Sequence, residues 1–356
     1  MAADIIFETR GRVGRITLNR PAALNAIDLD MSRSLLEALN AWAGNSAVAA
    51  VVIGATGDRA FCAGGDIRAL YRARRAGDFN LPRKFYRLEY RLNRLIHRFP
   101  KPYIALIDGI VMGGGVGISV HGSHRVVTER ALFAMPETGI GMFPDIGASY
   151  FLPRLPGRLG LYLGLTGARL SPADMLHCGL ATHFVPAEKL PALEAALADT
   201  GWSNERGMIV DSVLERFATR PYPTPIADIA EPIDRCFSGE SIEAILESLD
   251  RDGGDWARAT LGELRGKSPT SLKVAFRLLR EGKLLDLESC LALEYRLSQR
   301  FMASHDFYEG VRALLIEKDL APKWRPASLA EVTEADIAAC FAPLPEGDLV
   351  FPADLA

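Results

Sequence analysis

Apolar and polar residues follow two periodicities along the first half of the chain. β-type side chains recur between residues 5 and 18 and are interrupted by Gly11 and Gly14, which predicts a hairpin with both glycines in its turn. Apolar residues then recur at helical spacing over 35–42, and a short apolar run over 49–54 predicts a buried strand. The pattern therefore indicates strands that alternate with helices.

A unit of strand, glycine turn and helix recurs before residue 140. The turn at 63–65 leads into a helical pattern, and an apolar stripe over 82–99 predicts a long helix with Glu89 at the edge of its apolar face. A strand is predicted over 103–107, followed by a glycine-rich turn over 108–115, a short helix and further short strands. This order is typical of an α/β fold whose glycine turns lie at one end.

The pattern changes near residue 205, where we predict a domain boundary. Residues 1–205 form the predicted α/β core, and residues 206–356 a mainly helical region without comparable strand patterns. Amphipathic helices are predicted over 242–249, 272–279, 285–301 and 307–315.

The composition narrows the possible functions. The chain has 356 residues, 49% of them hydrophobic and 24% charged, and a net charge of −3 without a basic block, which argues against a nucleic-acid partner. It contains no apolar run of membrane-spanning length. Its five cysteines are widely spaced without a Cys-x-x-Cys motif, which fits a reducing compartment. With no signal or transit pattern at the N-terminus, we expect a cytoplasmic protein.

Two acidic residues, Glu137 and Asp145, stand in a stretch that is otherwise mostly apolar, glycine or proline. Carboxyl groups in apolar surroundings become usable acids, bases or nucleophiles near neutral pH. The glycines at 63–65 and 113–115 predict backbone N–H donors for an oxyanion, one from each cluster. Together they suggest acyl chemistry. The alternatives are a surface turn for Glu137, a helix N-cap for Asp145 and ligand-free tight turns for the glycines.

Other binding chemistries have weaker support. The glycine clusters match neither a dinucleotide fingerprint nor a phosphate-binding loop with its lysine. His121 and His124 have a spacing that metal ligands use, but no third ligand stands out, so we expect no metal. Asp66 is interpreted as a helix cap.

Several motifs resemble the crotonase (enoyl-CoA hydratase/isomerase) superfamily. They are Asn-Arg-Pro at 19–21 with Leu-Asn-Ala at 24–26, the run Ala60–Ile67, the glycine turn at 113–115 and Pro-Glu at 136–137. Further motifs cover 136–145, 150–155, 267–271 and 306–313, so the resemblance spans nearly the whole chain.

The resemblance implies a spiral of ββα units with a helical C-terminal region packed over an acyl site. It implies that the N–H groups of Gly65 and Gly114 bind the thioester oxygen, that Glu137 and Asp145 are the two catalytic acids, and that Glu89 is a substrate-site acid. It also implies a coenzyme A (CoA) site formed by Ala22, Leu24, Ala26, Ala60, Ala63, Gly64, Gly65, Asp66 and Ile67. CoA would be part of the substrate, and no separate cofactor is expected.

The residue after the glycine turn distinguishes this chain from the hydratases of the family. The resembling hydratases carry a second glutamate after the glycine turn, where this chain has Gly117. Adding water to a double bond usually needs two proton-handling groups, so a thioester hydrolase of short branched 3-hydroxyacyl-CoA is favoured. The alternatives are an enoyl-CoA isomerase or hydratase, or an acyl-CoA-binding protein without activity. A homo-oligomer is possible within the family.

Overall fold

The computed structural model describes residues 3–221 and 223–351, and its nine named strands form two sheets. The strands are β1 (Ile5–Arg10), β2 (Val13–Leu18), β3 (Ala50–Ala55), β4 (Ala60–Cys62), β5 (Tyr103–Ile107), β6 (Ile110–Met112), β7 (His124–Val127), β8 (Leu132–Ala134) and β9 (His183–Phe184). The larger sheet has the order β1-β2-β3-β5-β7-β9, and the smaller has the order β4-β6-β8. All pairs are parallel except β1 with β2.

Consecutive strands divide between the two sheets, which builds a spiral. Each of the pairs β3/β4, β5/β6 and β7/β8 places its first strand in the larger sheet and its second in the smaller. The smaller sheet therefore grows beside the larger one with each repeat. This is the ββα spiral that the family resemblance implies, and the predicted α/β fold class is confirmed.

Two details of the predicted elements were wrong. Gly14 lies within β2 and not in the hairpin turn. A Cβ atom there would come within 2.7 Å of the Trp42 ring, so close packing and not turn geometry accounts for this glycine. The predicted turn over 108–115 contains β6, a three-residue strand between glycines that is too short to show a periodicity.

The first nine helices lie between residues 29 and 215. They are α1 (Leu29–Gly44), α2 (Ile67–Arg75), α3 (Asn80–His97), α4 (Gly114–Gly117), α5 (Ala148–Phe151), α6 (Leu159–Thr166), α7 (Pro172–His177), α8 (Leu190–Asp199) and α9 (Arg206–Glu215). α9 begins just after the predicted domain boundary, yet it packs with α8 against one face of the larger sheet. The boundary near 205 stays a prediction.

The remaining helices form the C-terminal region. They are α10 (Pro225–Asp228), α11 (Ala230–Cys236), α12 (Ile242–Asp252), α13 (Asp255–Arg265), α14 (Pro269–Gly282), α15 (Leu287–Phe301), α16 (His305–Val311) and α17 (Glu334–Phe341). α16 packs closely on the segment after Glu137: a Cβ atom on Gly310 would lie 2.4 Å from the Ile140 carbonyl carbon. Within the described ranges, no helix combines the length and the apolar character that crossing a bilayer requires.

Candidate active site

A cavity of about 740 Å³ lies between the glycine turns and the C-terminal region. This volume is in the usual range for a small-molecule site. All but one of the predicted site residues line it: Ala22, Leu24, Ala26, Ala63, Gly64, Gly65, Asp66, Ile67, Glu89, Gly114, Glu137 and Asp145. Ala60 is the exception. It is buried in β4, where its carbonyl accepts a hydrogen bond from Asn25 Nδ2 at 2.9 Å, and it does not line the cavity.

The two glycine turns meet at the cavity. Gly64 and Gly113 adopt φ angles of +116° and +47°, which side chains rarely tolerate. A Cβ atom on Gly114 would lie 3.1 Å from the Gly65 nitrogen and 2.5 Å from Glu89 Oε1. The amides of Gly65 and Gly114 are therefore neighbours, as two donors to one oxyanion must be.

Glu137 begins a 3-10 turn over Glu137–Ile140 and is buried at 6% exposure. Its Oε1 faces the glycine turn, 3.4 Å from a Cβ atom placed on Gly113. Its Oε2 is buried without a hydrogen-bond partner in the described part of the chain. Burial, and then the charge of Asp145, raise the pKa of Glu137 well above its usual value. The surface-turn alternative for this residue is wrong.

Asp145 is buried at 6% exposure, and its Oδ2 accepts a hydrogen bond of 2.7 Å from the Tyr90 hydroxyl. Burial raises its pKa to about 6, while the Tyr90 bond opposes that rise. The N-cap alternative is wrong, because Gly147 occupies the N-cap position of α5. Asp145 and Glu137 thus face one cavity, but a tyrosine hydroxyl holds only the Asp145 carboxyl group among the described residues.

Glu89 lies in α3 and is buried at 3% exposure. It therefore belongs to the buried face of the helix and not, as predicted, to the edge of that face. Its Oε1 is close to Gly114 and is unpaired among the residues that the structure describes. Burial, followed by the charge of Asp145, raises its pKa. Three carboxyl groups therefore share one cavity.

Basic side chains line the same cavity and favour an anionic ligand. They are Arg59, Arg68, Arg72, Lys318 and Arg20, and the last of these is already paired with Asp4, Asp28 and Asp66. Arg74 and Arg75 instead lie over the rings of Phe79 and Tyr71.

Sequence reasoning missed Tyr90 and the setting of Gly117. The signal for Tyr90 was its place next to Glu89 and one turn after Tyr86 on the same buried helix. A Cβ atom on Gly117 would lie 2.8 Å from Asn93 Nδ2 and 3.0 Å from the Ile146 Cβ. The space that a side chain at position 117 would need is therefore filled.

The histidines and cysteines have other surroundings. His121 Nε2 lies 2.7 Å from the Ile146 carbonyl oxygen, and His124 Nε2 lies 3.0 Å from Asp211 Oδ1. Over residues 3–221 and 223–351, no three His, Cys, Asp or Glu side chains are arranged so that they could hold one metal ion. Cys62 is fully buried, and burial raises its pKa to about 12, which argues against a thiolate nucleophile.

The chain is similar to known proteins over nearly its whole length. The family model described as enoyl-CoA hydratase/isomerase matches residues 13–341. The chain is 49% identical to the mitochondrial 3-hydroxyisobutyryl-CoA hydrolase of Danio rerio, over 98% of this chain and 91% of the relative. It is 47% identical to the Homo sapiens protein of the same name, with the same two coverages.

Solved structures give the same fold. A carnitinyl-CoA dehydratase from Mycobacterium thermoresistibile superposes with a TM-score of 0.92 at 41% identity, covering 99% of this chain and 100% of the other. An enoyl-CoA hydratase from Rhodobacter sphaeroides 2.4.1 superposes with a TM-score of 0.90 at 39% identity. The match covers 98% of this chain and 100% of the other. The fold is therefore the crotonase fold.

The expected cytoplasmic location is contradicted, because these curated relatives are named as mitochondrial proteins. The expectation rested partly on widely spaced cysteines, and all five are free thiols in the structure. Free thiols fit a reducing environment but do not distinguish one reducing compartment from another.

Proposed function

Because this chain belongs to the enoyl-CoA hydratase/isomerase family, we propose that it is a thioester hydrolase that releases CoA from 3-hydroxyisobutyryl-CoA. The observation that carries the proposal is the placement of Glu137 and Asp145 in one cavity beside the amides of Gly65 and Gly114. The name and identity of the curated relatives support the hydrolase activity and the acyl group. Valine breakdown is the setting that this substrate implies.

In this proposal, the thioester oxygen binds between the N–H groups of Gly65 and Gly114. These donors stabilise the negative charge that develops there, and loss of one typically costs on the order of 10²-fold in rate. Glu137 either attacks the carbonyl carbon, giving an anhydride that water then cleaves, or activates water for direct attack. In both routes the C–S bond breaks and CoA leaves.

Asp145 and Glu89 act on the acyl group. Asp145, when ionised, accepts a hydrogen bond from the substrate 3-hydroxyl. The proton that the leaving thiolate takes up comes from the water that cleaves the ester or the anhydride, and Asp145 passes it to the sulfur. Glu89 contacts the acyl group next to Gly114. The basic residues of the lining attract the phosphates of CoA, which binds along Ala22–Ala26 and Ala63–Ile67.

The second candidate function is an enoyl-CoA hydratase or isomerase, because the solved structures carry hydratase and dehydratase names. The packing around Gly117 argues against a hydratase. Asn93 and Ile146 occupy the space that a second acid at position 117 would require. An isomerase needs only one base, so activity assays must separate it from the hydrolase.

The test is free-thiol release across a panel of 3-hydroxyacyl-CoA and enoyl-CoA esters. We expect release from 3-hydroxyisobutyryl-CoA that is insensitive to chelators, and a loss of about 10²- to 10⁴-fold in Glu137→Gln and in Asp145→Asn. Asp174→Asn is the matched control. Asp174 is also buried and accepts hydrogen bonds, but it lies outside the cavity lining.

Three results would contradict the proposal. Turnover of enoyl esters without thiol release would identify an isomerase or hydratase, since neither reaction frees CoA. Tight acyl-CoA binding without turnover would identify a binding protein. Full activity in Glu137→Gln would remove the assigned role of that residue.

Light scattering of the purified protein tests whether it forms a homo-oligomer.

A further inference from the structure

The backbone directly after Asp145 is strained. Ile146 has a φ of +59° and Gly147 a φ of +82°. A β-branched residue rarely adopts the left-handed region, so the surrounding contacts must hold Ile146 there. Strain of this kind persists only where neighbouring groups fix it.

A buried carboxyl group from the C-terminal region provides such contacts. Glu294, on α15, is fully buried. Its Oε2 accepts the Gly147 N–H at 2.7 Å, and its Oε1 accepts the Ser149 N–H at 3.0 Å and the Ser149 hydroxyl at 2.6 Å. On the other side, His121 Nε2 lies 2.7 Å from the Ile146 carbonyl oxygen.

We propose that Glu294 is a positioning residue, which holds the turn over residues 146–149 so that Asp145 meets the substrate 3-hydroxyl. It does not line the cavity, so it acts through Asp145 and not on the substrate. Tyr90 fixes the carboxylate of Asp145, and Glu294 fixes the backbone that follows it. This inference rests on the proposed function, in which Asp145 binds the hydroxyl.

The substitution Glu294→Gln tests this role with little change in shape. The two backbone N–H groups, of Gly147 and Ser149, point to different oxygens of Glu294. A glutamine amide has one oxygen, so in either orientation its NH₂ group faces one of those N–H donors. The turn must then shift, while the volume of the buried side chain is kept.

The experiment measures kcat/KM for 3-hydroxyisobutyryl-CoA and for isobutyryl-CoA, which lacks the hydroxyl. In Glu294→Gln we expect the preference for the hydroxylated ester to fall by about 10-fold or more, because small displacements of a positioning group have effects of that order. Asp174→Asn, which alters another buried carboxylate, should leave the preference unchanged. Ser149→Ala removes one hydrogen bond to Glu294 and should lower the preference less.

The outcomes separate the two proposals. If the wild type releases no CoA from 3-hydroxyisobutyryl-CoA, the proposed function fails. If the wild type prefers the hydroxylated ester and Glu294→Gln slows both esters equally, Glu294 is only a structural residue and this inference is overturned. Should Glu294→Gln fail to fold, the ratio of kcat/KM values for the two esters is measured in Ser149→Ala instead. A reduced preference for the hydroxylated ester supports the positioning role of Glu294, and an unchanged preference refutes it.

Discussion

At the scale of single residues, hydrogen bonding distinguishes the two carboxyl groups that we propose to be catalytic. Both are buried, but Asp145 accepts the Tyr90 hydroxyl and has a pKa of about 6, whereas the pKa of Glu137 is raised further by the charge of Asp145. Different environments that push two pKa values apart are typical of sites in which two acids have different roles. The Tyr90 bond thus opposes the rise in the pKa of Asp145, whereas Glu137 Oε2 has no hydrogen-bond partner in the described part of the chain.

This difference predicts a pH-dependent substrate preference. As the pH falls through about 6, Asp145 gains a proton and accepts the substrate hydroxyl less well, so the preference for 3-hydroxyisobutyryl-CoA over isobutyryl-CoA should fall. The ionisation of Glu137 affects both esters and cancels in the ratio. Because the Tyr90 bond lowers the pKa of Asp145, Tyr90→Phe should move the midpoint to higher pH. The measurement is the ratio of kcat/KM values from pH 5 to 8.

Tyr103→Phe is the matched control for this experiment. Tyr103 is equally buried, but its hydroxyl donates to the Ile118 carbonyl, and it does not line the cavity. A midpoint that moves equally in both variants, or in neither, would contradict the assignment to Asp145.

The sequence revealed the carboxyl groups of the candidate site but not the groups that hold them. Glu137 and Asp145 stand out because acids are rare in such apolar stretches. Tyr90 is 55 positions from Asp145, and nothing local links the two. Glu294 lies among the buried residues of an amphipathic helix, and an acid on an apolar face was the available signal.

At the scale of elements, the short helix α4 is shaped by what lies against it. Alanine in place of a helical glycine usually adds up to about 1 kcal/mol of stability. At Gly117, however, the new methyl would meet Ile146 at 3.0 Å and Asn93 at 2.8 Å, and overpacking of this kind costs about 1–3 kcal/mol. The packing cost is the larger effect.

Gly117→Ala should therefore lower the free energy of unfolding and also reduce kcat, since Ile146 follows Asp145 directly. Gly262→Ala, in the interior of α13 with open space around its Cα, should instead raise stability by up to about 1 kcal/mol and leave activity unchanged. Denaturant unfolding and thiol release measure the two effects. A Gly117→Ala variant as stable and active as wild type would contradict this prediction, because it would show that Asn93 and Ile146 move aside without cost.

Element prediction succeeded where the pattern was long and failed where tertiary contacts decided. The helix predicted over 82–99 and the strand predicted over 103–107 are present as α3 and β5. β6 has only three residues, and the close contact that favours a glycine at position 14 is with Trp42, 28 positions away. Neither a period nor a local turn rule contains that information.

At the scale of the whole molecule, the site places buried acids together at a cost in stability. Glu89, Glu137, Asp145 and Glu294 are all buried, and burial is the first cause that raises each of their pKa values. The folded protein therefore holds protons that the unfolded chain releases. Functional sites commonly keep such unfavourable arrangements because the chemistry requires them.

This cost predicts how stability responds to pH. A carboxyl group with a raised pKa in the folded state costs nothing below its unfolded pKa, about 4.3 for glutamate, and destabilises the fold progressively as the pH rises toward its folded pKa. Glu137→Gln removes one such group. The melting temperature of the variant minus that of the wild type should therefore be larger at pH 8 than at pH 5. Thermal unfolding of both proteins at the two pH values measures this difference. An equal difference at both values would mean that Glu137 is solvated in the folded protein and would contradict the buried site from which its raised pKa follows.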